Sequence, residues 1–322
     1  MLTAMADPKI MVRMKAAWSL ANLSDSLVTN MSCGDTSFME DFSDMLLLKL
    51  LNTSITAADD NEKVKSNAVR ALGNFLRYIR MSSLDKPGFV EAVEKAVQAL
   101  VRNVGSGLMK VRWNACYAIG NVFRNAFLPI GTAPWTAEIF TGLENVIRDC
   151  KNFKVRINAV LPLSIPPERR YYGGVTLYCR IFATLIDALK GTEKVTEFSE
   201  FKYRDHLRQQ LCNSLCHMTQ MMTEEDASSL GSTLEESHDA LKDYIADYVR
   251  HLYTQESSIE DQKDGNTATE KLTAVQGAHR RVHGELEAST PAVKILQDVF
   301  GEWTKATETK DEARTTKEVK SE

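Results

Sequence analysis

One helical phrase returns five times along this chain, and a chain built that way folds by stacking copies rather than by closing a single core. The copies are VRMKAAWSLANL from Val12, VKSNAVRALGNF from Val64, VRWNACYAIGNV from Val111, VRINAVLPLSIP from Val155 and LRQQLCNSLCHM from Leu207. Their starts are 52, 47, 44 and 52 residues apart. Units of that length are helix pairs, which predicts an all-α fold, an α-solenoid of about five repeats over residues 1–253. Such a fold makes a long binding surface and rarely an active site.

Let the first residue of each phrase be position 0, and wind the chain at about 100° per residue. Positions 0, 4, 5, 7, 8 and 11 then fall within about 160° of arc, one apolar face. They hold Val64, Ala68, Val69, Ala71, Leu72 and Phe75 in the second copy, and Val111, Ala115, Cys116, Ala118, Ile119 and Val122 in the third. Small residues at positions 4 and 7 allow close helix stacking. A partner helix is expected upstream of each phrase, at about 37–52, 88–104, 134–150 and 174–190, with Pro87 and Pro134 near helix starts. The first phrase has no such partner, so the chain reads as a portion of something longer. Pro162 falls inside the fourth phrase and predicts a kink or early stop. Residues 224–253 read as one long helix, 254–266 as a polar linker and 267–304 as a terminal helix pair. The Thr-rich charged tail, 305–322, reads as disordered.

Composition narrows the function. Net charge is −4 and the pI about 6.0, which gives no electrostatic reason to expect nucleic acid or an anionic membrane. The longest apolar run, MLLLKLLN from Met45, is too short to span a bilayer, and the amino terminus lacks the basic lead and apolar run of a signal peptide. Six cysteines without a CxxC pair suit a reducing compartment, cytoplasmic or nuclear. Cys212 and Cys216, with His206 and His217 nearby, make at most half of a zinc site; core packing explains the thiols better. No Walker loop, GxGxxG, GxSxG or HExxH is present. No enzymatic activity, metal, cofactor or small-molecule substrate is expected.

Opposite the apolar arc stands a polar column. Position 10 holds Asn22, Asn74 and Asn121; position 6 holds Trp18, Arg70 and Tyr117; position 3 holds Lys15, Asn67, Asn114, Asn158 and Gln210. An amide both donates and accepts, so a stack of Asn can pair with the backbone of an extended peptide while an aromatic or Arg one turn away clamps a side chain. The same amides can instead bridge neighbouring repeats or face water. On the ligand reading, Asn74→Ala with Asn121→Ala abolishes binding and leaves melting unchanged. Position 1 is basic in all five copies: Arg13, Lys65, Arg112, Arg156 and Arg208. It lies near the apolar side, where a cation is expected to pair with an adjacent unit, Asp7 and Asp59 being candidate acceptors.

These phrases resemble the second helix of HEAT repeats, the first three leaning toward the armadillo variant. WSLANL (18–23) is similar to the phrase with which armadillo adaptors of nuclear import bind peptides. That likeness implies a side-chain clamp at Trp18 and a backbone partner at Asn22, with Asn74 and Asn121 extending the ladder. Trp recurs at its position in no other copy. More narrowly, KVRWNACYAIGNVFRN (110–125), LPIGTAPWT (128–136) and CKNFKVRI (150–157) resemble the C-terminal part of the HEAT repeat-containing protein 6 family. The resemblance implies a large helical-repeat protein with no established enzymatic activity. The expected function is an interaction scaffold that holds a protein or peptide partner along the polar face. Trp18, Asn22, Arg70, Asn74, Tyr117 and Asn121 are the expected contacts. The alternative is an architectural segment with no ligand groove of its own.

Overall fold

The computed structural model describes residues 1–34, 42–105, 107–194, 198–258 and 265–301. All regular structure among them is helical. The chain divides into two compact units, Met1–Gly173 and Gly174–Glu322. That division falls inside what the repeat spacing reads as one continuous run.

In the first unit the phrases form α1 (Ile10–Ser32), α3 (Glu62–Tyr78), α5 (Met109–Phe123) and α7 (Phe153–Val160). Their partners are α2 (Asp44–Ala57), α4 (Phe89–Gly105) and α6 (Thr136–Asp149). The phrase helices pack in sequence, α1 on α3, α3 on α5 and α5 on α7, and the partner helices do the same. The result is two layers, each partner helix also resting on the phrase helix that follows it. Side chains start several of these helices: Ser43 Oγ accepts from Leu46 N, Asn61 Oδ1 from Lys63 N and Asn152 Oδ1 from Val155 N. The apolar arc forms the core. Ala17, Ala57, Val64 and Ala68 meet between α1, α2 and α3, with Met5, Ile10 and Met14 against them.

Ala118, at position 7 of its phrase, does meet its neighbour closely, against a glycine at position 9 that lay outside the expected small set. A Cβ placed on Gly73 of α3 falls 2.5 Å from the Cα of Ala118 on α5. The fourth phrase stops early: α7 has one 8-residue stretch, then a 3-10 turn at Leu161–Ser164 that contains Pro162. Proline removes a backbone donor and crowds the preceding turn, so the α-helix ends there.

The basic column at position 1 is paired in several ways. The Arg13 guanidinium meets both oxygens of Asp60 at 2.6 and 3.0 Å and donates to the Asp7 carbonyl at 2.9 Å. Arg112 Nε donates to the Val104 carbonyl at 3.1 Å. Lys65 turns to Glu62 on its own helix, 3.5 Å away. Arg156 is buried against the Phe153 ring. Of the two expected acceptors, Asp7 does serve Arg13, through its carbonyl and through the charge of its carboxylate, whereas Asp59 serves none of these cations. Asp59 pairs with Arg102 instead, and Asp7 Oδ1 accepts from Lys9 N.

The second unit contains α8 (Val175–Gly191), α9 (Phe198–Thr219, the fifth phrase), α10 (Glu224–Ser229), α11 (Gly231–Ser258), α12 (Gly265–Arg280) and α13 (Pro291–Val299). Residues 224–253 are not one helix. A capping box of Thr223 and Asp226 starts α10, which closes at Leu230 before α11 begins. Helix also runs through parts of the expected linker, up to Ser258 and again from Gly265; residues 259–264 lie outside the described residues. The expected terminal pair packs on α9 and α11, burying Leu272, Val275, Ala278, Val293 and Leu296. The tail expected to be disordered, 305–322, also lies outside the described residues.

Candidate functional site

The amide column turns inward. Asn74 is 2% exposed and Asn121 fully buried, so neither is available to a ligand, as the peptide reading requires. Asn121 Nδ2 donates to Asn74 Oδ1 at 2.8 Å. Asn74 Nδ2 in turn donates to Ser24 Oγ at 3.0 Å and Asp25 Oδ1 at 2.6 Å. Three phrase helices, α5, α3 and α1, are thus joined through one amide relay.

Its neighbours follow the same direction. Arg70 Nη2 on α3 donates to Asn22 Oδ1 on α1 at 3.1 Å, and its Nε lies 3.6 Å from Asp25. Asn114 Nδ2 on α5 donates to the Ser66 carbonyl on α3 at 2.6 Å. Asn125 Nδ2, just past α5, donates to the Leu76 and Ile79 carbonyls at the end of α3. Every one of these side chains reaches back to the preceding repeat. Winding explains it: position 10 lies about 40° closer to the apolar arc than position 6 does, on the flank where the preceding phrase helix packs. Of the six expected contacts, then, Asn74, Asn121, Asn22 and Arg70 serve contacts between repeats.

Trp18 and Tyr117 remain outside that network. They are 55% and 46% exposed, well above the usual for large aromatics. Trp18 also lines an open groove of about 360 Å³ that runs across α1, α3 and α5. Met14, Asn67, Leu108 and Val111 form its walls and floor, and Lys15, Lys63 and Lys110 its rim. Glu62 enters the same groove but is engaged: it pairs with Lys65 and accepts from Leu108 N at 3.1 Å.

Lys63, Lys110, Arg77 and Arg124 are functional candidates absent from the repeat reading. The twelve-residue phrase frame hid them, because they stand at positions −1 and 13. Wound at about 100° per residue, positions −1, 3, 6, 10 and 13 share one stripe about 80° wide. The signal was in the sequence, one residue before the window and two residues after it.

No described group of three or more His, Cys, Asp or Glu side chains could hold a metal ion. Cys116, Cys212 and Cys216 are buried, and burial pushes the Cys116 thiol up to about 12. No described helix is long and apolar enough to cross a membrane.

No family model matches the chain. Among curated proteins it is similar to an uncharacterized protein of Dictyostelium discoideum, 27% identical over 315 residues. That match takes in 65% of this chain and 20% of the relative, so the chain spans about a fifth of the relative's length. Among solved structures, an engineered protein aligns with a TM-score of 0.43 at 14% identity, covering 89% of this chain and 97% of that one.

Proposed function

We propose that the first unit is a HEAT/armadillo-like α-solenoid working as a non-enzymatic interaction scaffold. It holds an extended protein segment or partner helix along the stripe that carries Trp18 and Tyr117. One observation carries this reading: two large aromatics stand exposed on stacked phrase helices, Trp18 beside an open groove, while Asn22, Arg70, Asn74 and Asn121 near them are occupied within the fold. Exposed aromatics beside a concavity are the usual anchors of protein interfaces. Affinity accumulates over several weak contacts along the face, as in any extended recognition surface. The buried thiols suit a cytoplasmic or nuclear setting. The same reading groups the chain with the HEAT repeat-containing protein 6 family that its sequence resembles.

The test is selection of displayed random peptides on the purified chain, followed by binding to Trp18→Ala and Tyr117→Ala variants. Selected peptides should lose tenfold or more in affinity for each variant, about 1.4 kcal/mol. Peptides that bind both variants as well as the parent overturn the assignment of this face.

An architectural role is favoured by a separate observation. Position 7 is buried as Ala71 and Ala118 in the second and third copies, but in the first copy it is the exposed Ser19. Leu23 and Met11 on the same helix are 39% and 57% exposed. That flank of α1 suits a further helical element of a larger assembly. If it does so, Leu23→Asp lowers the chain's binding of a hydrophobic dye; unchanged dye binding contradicts it.

A further inference from the structure

The stripe is strongly one-signed. Lys15, Lys63 and Lys110 rim the groove at the start of the phrase helices. Arg77 and Arg124 stand further along, at position 13 of α3 and just past α5. Among the described residues no carboxylate lies within 4.0 Å of any of these five cations. The nearby carboxylates are already engaged: Glu62, which lines the groove, with Lys65 and Leu108 N, and Asp25, at position 13 of α1, with Arg70 and Asn74. Among the described residues Arg77 donates to Ser32 Oγ, at 3.3 Å. Arg124 is held below the usual guanidinium value by burial first and by the charge of Arg77 second, with Tyr117 acting the other way. The two like charges thus repel one another near an exposed aromatic. The chain as a whole carries −4, so this is a local excess that the net charge conceals.

We propose that the stripe binds an acidic protein segment in extended form, its carboxylates on the lysine rim and on Arg77 and Arg124, and its apolar side chains on Trp18 and Tyr117. The proposal rests on the reading of this face as a binding surface and adds the chemistry of the partner. Stacked helices lie about 8–10 Å apart, and an extended chain advances about 3.3 Å per residue. An acidic residue at every third place therefore keeps step with Lys15, Lys63 and Lys110. The aliphatic walls of the groove, Met14, Leu108 and Val111, favour a peptide over a nucleic acid, since they offer nothing to a phosphate backbone.

The test uses the full chain and fluorescence anisotropy. The probes are labelled extended peptides of about twelve residues with Glu at every third place and Phe or Ser between. Otherwise identical Lys and Gln peptides and an oligothymidylate complete the set. The Glu peptide should bind, weaken about tenfold between roughly 50 and 300 mM salt, and lose at least tenfold on Lys63→Glu with Lys110→Glu. That variant should gain affinity for the Lys peptide, which also shows it is folded; Lys63→Gln with Lys110→Gln should fall in between. Equal binding of the Gln and Glu peptides, with both weakened by Trp18→Ala, overturns the acidic partner and leaves the binding face standing. Tighter binding of oligothymidylate overturns it in favour of nucleic acid. If no probe binds, both readings fall.

Discussion

Asn121 donates to Asn74 across 2.8 Å between successive phrase helices, and both side chains are closed off from solvent. The relay runs from α5 through α3 to Ser24 and Asp25 of α1, and it stops at Asn121. Asn121 Oδ1 is buried and accepts no hydrogen bond among the described residues. The fourth phrase explains the stop, because Ile165 occupies the equivalent position and has no donor. An unmet buried acceptor costs about 1–3 kcal/mol, so the fold tolerates one such end and joins the others.

The closest approach in the stack tests how tightly the phrase helices are packed. Alanine in place of glycine within a helix gains up to about 1 kcal/mol from propensity alone. At Gly73 the added methyl meets the backbone of Ala118, which cannot swing aside, and overpacking of that kind costs about 1–3 kcal/mol or more. Gly73→Ala should therefore lower the urea midpoint. At Gly120 the nearest atoms to an added methyl are Arg124 Nη1 and Ile165 Cδ1, both at 3.2 Å and both ends of flexible side chains, with Pro162 Cγ in ordinary contact at 3.8 Å. Gly120→Ala should be neutral or slightly stabilising. Equal effects of the two substitutions contradict the packing described.

Much of this was legible in the sequence and some of it was not. The 3.6-residue periodicity of Val64–Phe75 and Val111–Val122 placed the helices and their apolar faces, and Pro162 marked the early end of α7. What the pattern could not decide was the fate of a polar residue on the flank. Asn74 and Asn121 are polar whether they face water or another amide, and only the neighbouring helix distinguishes the two. Arg70 misled in the same way, since a cation and its partner Asp25 lie 45 residues apart in sequence. The break at Leu230 is hidden because the apolar spacing of α11 continues smoothly from α10, while Thr223 and Asp226, three residues apart, mark the start of α10 in the sequence itself.

Asp44 makes stability depend on acid. Its carboxylate accepts from Lys86 Nζ, from Ser83 Oγ at 2.6 Å and from Arg80 Nη2 at 3.1 Å, fastening the start of α2 to the turn Met81–Leu84. Lys86 first and Ser83 next bring its pKa from 3.8 down to about 2. A carboxylate depressed in the folded state stabilises above its unfolded pKa, and that contribution is lost as pH falls through the folded value. Parent and Asp44→Asn should thus differ in urea midpoint at neutral pH and converge as pH drops from 3.8 to about 2. A difference that stays constant over this window contradicts the assignment.

Thiol labelling reads the same core. Cys33 is exposed, whereas Cys116 is buried at a stacked position with its thiol raised to about 12 by burial. Only the thiolate reacts. Mass spectrometry after brief iodoacetamide treatment near neutral pH should find Cys33 modified and Cys116 intact until denaturant is added. Early modification of Cys116 contradicts close stacking of α3 on α5.

Two kinds of residue share one stripe: buried amides join successive phrase helices, and Trp18 and Tyr117 stand exposed on the face proposed for a partner. Equilibrium urea unfolding of two double variants tests this division most directly. Asn74→Ala with Asn121→Ala strips the relay and should cost about 2–4 kcal/mol, because Ser24, Asp25 and the helix flanks lose buried partners. Trp18→Ala with Tyr117→Ala removes exposed rings and should cost well under about 1 kcal/mol. An amide pair that unfolds like the parent, beside an aromatic pair that is strongly destabilised, would contradict that division and return the amides to the ligand.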